Sequence, residues 1–174
     1  MGDWMADMMR SVSGADVALY TRRDDRGVRL HAGDTLYTED LYDWIRPHDR
    51  HLCTFRCTGR DLLEILEANL ADDPEERSLP VQVSGCRYVF DRRRESGHRI
   101  LTSTIDPARA YTLVCEGQVR TRETIRLAGR WGRLPFTELE PTVVSAAWGY
   151  IVQHGGIVTI EGMGGCARSR RRPT

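Results

Sequence analysis

The stretch PVQVSGCRYVFD, residues 80–91, changes phase in its middle. Before Ser84-Gly85 the apolar residues are odd-numbered, Val81 and Val83; after it they are mainly even-numbered, Cys86, Tyr88 and Phe90. Successive side chains of a strand point to opposite faces, so a slip of one residue sends an apolar set to the other side. Both halves stay buried only if the chain bulges or bends between them, and Gly85 is the residue that permits it. The expectation is a strand segment interrupted by a glycine joint, serving two packing faces.

Working outward from this joint, residues 91–98 (DRRRESGH) read as a basic turn, followed by strands over 99–105 and 111–116. Upstream, HLCTFRC (51–57) is a strand, and Thr58 with Asp61 forms a capping-box start for a helix carrying Leu62, Leu63, Leu66 and Leu70. The acidic run 72–78 reads as a surface loop. Near the N-terminus, Trp4, Met5, Met8, Met9 and Val12 fall on one stripe of a helix over 3–13 that Gly14 stops. DVALY (16–20) is a short buried strand and 21–34 a polar loop. Thr38, Glu39 and Asp40 open a second helix that turns Leu41, Trp44 and Ile45 inward and ends before Pro47. Residues 117–137 are rich in Arg and Gly without a clean period. Pro141 then reads as the start of a helix with Val143, Val144, Ala147, Trp148 and Ile151, stopped by Gly155-Gly156. Helices and strands do not alternate strictly, so the predicted class is α+β, one domain with a mixed, largely antiparallel sheet packed with helices. That domain is expected over residues 1–163, with 164–174 a basic, disordered tail.

The chain has 174 residues, 40% hydrophobic and 29% charged, with a formal net charge of zero. Such totals fit one globular domain and give no global attraction to nucleic acid or an anionic membrane. All 25 basic residues are Arg, which excludes lysine Schiff-base chemistry and a Walker-type phosphate loop. No apolar run is long enough to cross a bilayer, and the opening MGDWMADMMR lacks the cationic region of a signal peptide. A cytoplasmic location is the default for the chain as given, with export expected if the full-length gene carries a signal. The five cysteines are odd in number and scattered. Cys53 and Cys57 share a strand face with Phe55 and read as buried thiols rather than as redox or zinc groups.

These pieces resemble, in order, the C-terminal domain of the 5'-nucleotidase family. GDWMADMMRSVSGADVAL is similar to that family's opening helix and strand, with Asp3 at a family Asn. LYTEDLYDWIRP resembles its second helix, HLCTFRCTGRDLLEILE its strand, Thr-Gly cap and Leu-rich helix, PVQVSGCRYVFD its Val-Ser-Gly segment, and DPARAYTLV its Asp-Pro and Tyr-bearing strand. The resemblance implies a domain that binds nucleoside or nucleotide, while a separate N-terminal metallophosphoesterase domain holds two metal ions and hydrolyses the ester. This chain starts at the C-terminal domain. No catalytic residue, metal ligand or cofactor is expected in it, the divalent metal pair belongs to the missing domain, and the chain alone is expected to be inactive.

The resemblance also places a binding site. The family's phosphate loop, Asn-x-Gly-Gly-x-Arg, corresponds to Thr21-Arg22-Arg23-Asp24-Asp25-Arg26. Arg26 keeps the Arg and can pair bidentately with a phosphate, Thr21 replaces the Asn, and Arg29 is a rival to Arg26. Bulky residues at the glycine positions obstruct close backbone approach. His48, after Pro47, stands where the family has its first base-stacking Phe. The second Phe and the Gly-Gly-Asp-Gly-Tyr region have no counterpart; Trp131 and Phe136 are substitutes by composition only. The expected partners are therefore a nucleotide or another phosphate-bearing small molecule, bound weakly, and a metallophosphoesterase domain; nucleic acid and membrane are not expected. Two readings follow: the substrate-binding half of a nucleotidase-like hydrolase of nucleotide catabolism, or a stand-alone, non-catalytic ligand- or protein-binding module with a degenerate nucleotide site. A relative acting on a non-nucleotide substrate, as in the thiosulfate-handling branch, is a weaker third.

Overall fold

VALY and AYTLVCE are apolar at almost every position, which suits strands covered on both faces. They form the middle of a five-stranded sheet as β1 (Val17–Tyr20) and β6 (Ala110–Glu116), running parallel with Ala18 beside Val114. The computed structural model describes residues 2–20, 35, 37–45, 50–70, 81–117, 134–156 and 168–169. Within these, β2 (His51–Thr58) pairs antiparallel with β6, and β3 (Gln82–Ser84) antiparallel with β1. β7 (Phe136–Thr142) closes the far edge on β2, giving the order β3-β1-β6-β2-β7. A smaller sheet, order β5-β4-β8, is built from β4 (Tyr88–Phe90), β5 (Ile100–Ser103) and β8 (Arg168–Ser169). The α+β class with a mixed, largely antiparallel sheet is thus the observed one. β8 lies within the basic tail and pairs in parallel with β4.

The two-residue period of the strands divides the apolar residues between two cores. Val17, Leu19, Phe55, Cys57, Leu113 and Cys115 face one side, where α3 (Gly59–Asn69) packs with Leu62, Ile65 and Leu66. Ala18, Leu52 and Val114 face the other, covered by α1 (Gly2–Ser13), α2 (Thr38–Trp44) and α4 (Val143–Gln153). Met5, Met8 and Met9 of α1 are fully buried there, as is Leu41, and Ile45 is buried, whereas Val12 and Trp148 are exposed. The side chain of Trp44 lies outside the described residues.

At the joint, Gly85 takes φ +86, the left-handed region the phase change demanded. The expected two packing faces are corrected, however: the joint sends the chain from one sheet to another. Val81, Val83, Cys86, Tyr88 and Phe90 then all enter a single core from two sides. A Cβ on Gly85 would lie 2.0 Å from the carbonyl oxygen of Asp16. Ser84 is buried and bridges to α1; its hydroxyl donates to Asp7 Oδ1 at 2.5 Å and accepts from Arg10 Nε at 3.0 Å. The Ser-Gly pair therefore couples sheet, helix and joint.

The capping box is formed as expected. Thr58 Oγ1 accepts from the Asp61 N–H at 3.2 Å, and Asp61 Oδ2 accepts from the Thr58 N–H at 3.0 Å. We expect Thr58→Ala to cost about 1 kcal/mol in urea unfolding at unchanged m-value. Two helix starts differ from expectation. The N-cap of α2 is Tyr37, whose N–H donates to Asp40 Oδ2 at 2.8 Å; Thr38 is already helical. Pro141 belongs to β7 rather than to a helix start, and the cap of α4 is Thr142, accepting from the Ser145 N–H. β7 is an edge strand, where a residue without an N–H is tolerated.

Candidate functional site at one end of the sheet

The two ends of the large sheet differ. At one, short turns are pinned by hydrogen bonds. Asp16 Oδ2 accepts from the Thr112 N–H and Asp16 Oδ1 from the Arg109 guanidinium, each at 2.8 Å. The Gly59 N–H donates to the Arg109 carbonyl at 2.7 Å, and the Asp106 N–H to the Tyr111 hydroxyl at 3.0 Å. A Cβ at Gly59 would sit 2.0 Å from the Asp106 carbonyl oxygen. The Ser-Gly, Thr-Gly and Asp-Pro motifs that carried the resemblance all fall at this end, and here they hold structure.

The other end gathers the described flanks of the segments expected to bind ligand. Tyr20, where the chain leaves β1 for residue 21, pairs with Gln82. The parallel register that sets Ala18 beside Val114 sets Tyr20 level with Glu116, two residues on, and Glu116 lies opposite Leu52. Arg50, where the chain arrives from residues 46–49, precedes that position, and Gly117 follows Glu116 before residues 118–133. Gly2 of α1 lies against the Gln82 side chain at the same end. Topology thus brings the borders of 21–34, 46–49 and 118–133 together on three neighbouring strands. The predicted binding residues Thr21, Arg26, Arg29 and His48, and Trp131, lie outside the described residues.

An ion pair missed by the sequence reading stands at this end. Arg50 Nη1 donates to Glu116 Oε2 at 2.5 Å across β2 and β6. The Glu116 side chain is only 4% exposed, and burial pushes its carboxyl above the usual carboxylate range, with the Arg50 guanidinium pulling the other way. The Arg50 carbonyl also accepts the Val143 N–H at 2.7 Å, tying the start of α4 to the same corner. Two buried polar atoms here, Arg50 Nε and Asp3 Oδ1, have no hydrogen-bond partner among the described residues. Isolated charges on a strand border read as solvated, so only the signal of opposite charges at equal depth on paired strands could have found the Arg50–Glu116 pair.

Other candidates are drawn into structure. His51 Nδ1 hydrogen-bonds the Leu139 carbonyl at 3.0 Å and His154 Nδ1 the Tyr150 carbonyl at 2.8 Å, leaving neither poised beside a carboxylate cluster. No group of three or more His, Cys, Asp or Glu side chains among the described residues could hold a metal ion, so they do not fit a two-metal centre. Phe136 sits opposite Phe55, four residues along β2 from His51 and so roughly 13 Å from the end that holds Arg50 and Glu116. Cys57 and Cys86 are buried, and desolvation pushes both thiols up to about 12, which keeps them protonated and unreactive. No described helix is long and apolar enough to cross a membrane.

The described residues thus form a sheet with one end pinned by hydrogen bonds and the other bordering the segments expected to bind ligand. The chain belongs to the 5'-nucleotidase C-terminal domain family, whose model matches residues 1–117. Its fold is shared with a 5'-nucleotidase precursor from Thermus thermophilus at a TM-score of 0.78 and 18% identity, over 99% of this chain and 35% of that one. It is also similar to the sulfate thiohydrolase SoxB of Thermus thermophilus, solved with glycerol (TM-score 0.73, 17% identity, 99% of this chain and 33% of that one). Haemophilus influenzae NAD nucleotidase matches at a TM-score of 0.68 and 16% identity, over 87% of this chain and 30% of that one. This chain therefore spans about a third of the length of these structures. No curated protein sequence matches it.

Proposed function

We propose that this chain is the substrate-binding part of a 5'-nucleotidase-like hydrolase of nucleotide catabolism, whose metal-holding catalytic part is a separate domain. The observation that carries this reading is the convergence of Tyr20, Arg50 and Gly117 at one end of the sheet. These residues border 21–34 and 46–49, for which the family resemblance implies phosphate and base contacts, and 118–133, which contains Trp131. Arg26 is assigned the phosphate, Thr21 a polar contact beside it, and His48 a stacking surface. A guanidinium suits phosphate because its fork presents paired donors to two oxygens, and an imidazole stacks with less area than a phenyl ring. The Arg50–Glu116 pair holds β2 against β6 at this end of the sheet. No hydrolytic step is assigned to this chain.

Isothermal titration of the chain with AMP tests the reading. We expect weak binding, lowered several-fold by Arg26→Ala, and no phosphate release from AMP with Mn²⁺ or Mg²⁺. Metal-dependent turnover by the purified chain would refute the division of labour; unchanged binding in Arg26→Ala would move the phosphate contact to Arg29. Absence of AMP binding would favour the second reading, a stand-alone, non-catalytic binding module. The replacement of the family's two glycines by Arg23 and Asp24 supports that alternative.

A further inference from the structure

Cys53 and Cys115 are Cα partners in the antiparallel β2–β6 ladder. Directly opposed residues of such a ladder project to the same face. Both side chains are buried, at 1% and 0% exposure, and the structure holds both as thiols. Their position in the ladder follows from a bond at its far end. The Gly59 N–H donates to the Arg109 carbonyl just beyond the Thr58–Ala110 pair, which makes that pair a non-hydrogen-bonded one. The register is unbroken from there, so strict alternation makes Cys53–Cys115 a hydrogen-bonded pair, with Cα atoms about 5.5 Å apart. That separation lies within the range a disulfide spans, about 4.4–6.8 Å. The Cβ atoms of such a pair stand somewhat wider than a relaxed disulfide prefers, which marks a bond that forms but reduces readily. On its other side, β2 shifts register against β7 between His51 and Cys53.

From this geometry we propose that Cys53 and Cys115 form a modification site, a cross-strand thiol pair that oxidises reversibly to a disulfide locking β2 to β6 one residue pair from the Arg50–Glu116 corner. The oxidant is a small-molecule disulfide. Both thiols are buried in the closed sheet, so the reaction runs through transient local opening of the strand pair. One cysteine thiolate then attacks the oxidant, forming a mixed disulfide and releasing one thiol; the second cysteine displaces the other. The chain loses two hydrogens and two electrons, and the oxidant becomes two thiols. The Cys53 sulfur lies against Gly117, where an added Cβ would meet it at 3.1 Å, and Leu52 and Glu116 are the next pair toward the end. The bridge therefore acts on the corner that holds the Arg50–Glu116 pair. Cys57 lies opposite Tyr111 and has no thiol across the ladder.

The chain itself separates these cysteines for analysis, since cleavage after Arg yields residues 51–56 with Cys53 alone and 110–120 with Cys115 alone. Native chain is incubated with oxidised glutathione, remaining thiols are alkylated, and the unreduced digest is mapped by mass spectrometry. The expected product is peptide 51–56 joined to 110–120, lost on treatment with dithiothreitol. A second expected result is a higher urea midpoint for the oxidised chain that returns to its starting value on reduction. Recovery of either peptide alkylated and unlinked, joined to another cysteine, or capped by glutathione would overturn the proposal, as would an unshifted midpoint. Cys115→Ala should abolish both effects. If that variant does not fold, the wild-type map still decides.

Discussion

Gly85→Ala is expected to destabilise this chain by about 3–5 kcal/mol, a large part of the ~5–15 kcal/mol that holds a domain of this kind together. Two costs combine. The residue occupies φ +86, where any side chain is strained by about 1–2 kcal/mol. A Cβ there would also stand 2.0 Å from the Asp16 carbonyl oxygen and 3.0 Å from the Arg10 side chain. Asp16 cannot retreat, because its carboxylate is fixed by the Thr112 N–H and Arg109, and its own N–H donates to the Thr112 carbonyl at 2.9 Å. Gly97 provides the control: it has φ +87 but nothing within 4 Å of an added Cβ. Gly97→Ala should therefore cost only the backbone term, about 1–2 kcal/mol. Urea denaturation of both variants separates the terms, and equal losses would mean that the contact with Asp16 relaxes at no cost.

Arg50→Ala should cost about 3–5 kcal/mol, because it strands the Glu116 carboxylate in a site that is almost completely buried. Replacing both partners by apolar residues, Arg50→Met with Glu116→Leu, should recover most of that loss, since the pair's attraction roughly offsets its own desolvation. A double-mutant cycle measures the difference. The pH dependence has a definite sign. Burial raises the folded-state pKa of Glu116 above its ordinary value of 4.5. Between those two values the folded chain keeps a proton that the unfolded chain has released. Stability from this group is thus fully present below the ordinary value and declines as pH rises through the raised one. Subtracting the Glu116→Gln profile from the wild-type profile isolates that slope; a slope of opposite sign would mean that Arg50 outweighs burial.

Patterns tied to local geometry were readable directly. The phase change across Ser84-Gly85, the Thr58–Asp61 box and the Met stripe of α1 each depend on spacing within a few residues, and each appears in the fold. β7 was not readable, because FTELEPT is an exposed edge with little apolar alternation and its Pro mimics a helix start. Val12 and Trp148 obey a helical period yet face outward, since periodicity reports a stripe but not its boundaries.

The class, the family and the joint at Gly85 can be read from the order of residues, because they follow from backbone sterics and from the succession of local motifs. The sequence also named Thr21, Arg26 and His48 as binding candidates, through resemblance. Tertiary structure alone decided that the joint connects two sheets around one core, and that Arg50 meets Glu116 and Cys53 meets Cys115. Those residues are 66 and 62 positions apart in the chain. Strand register, which no local pattern encodes, is the physical agent that makes them neighbours.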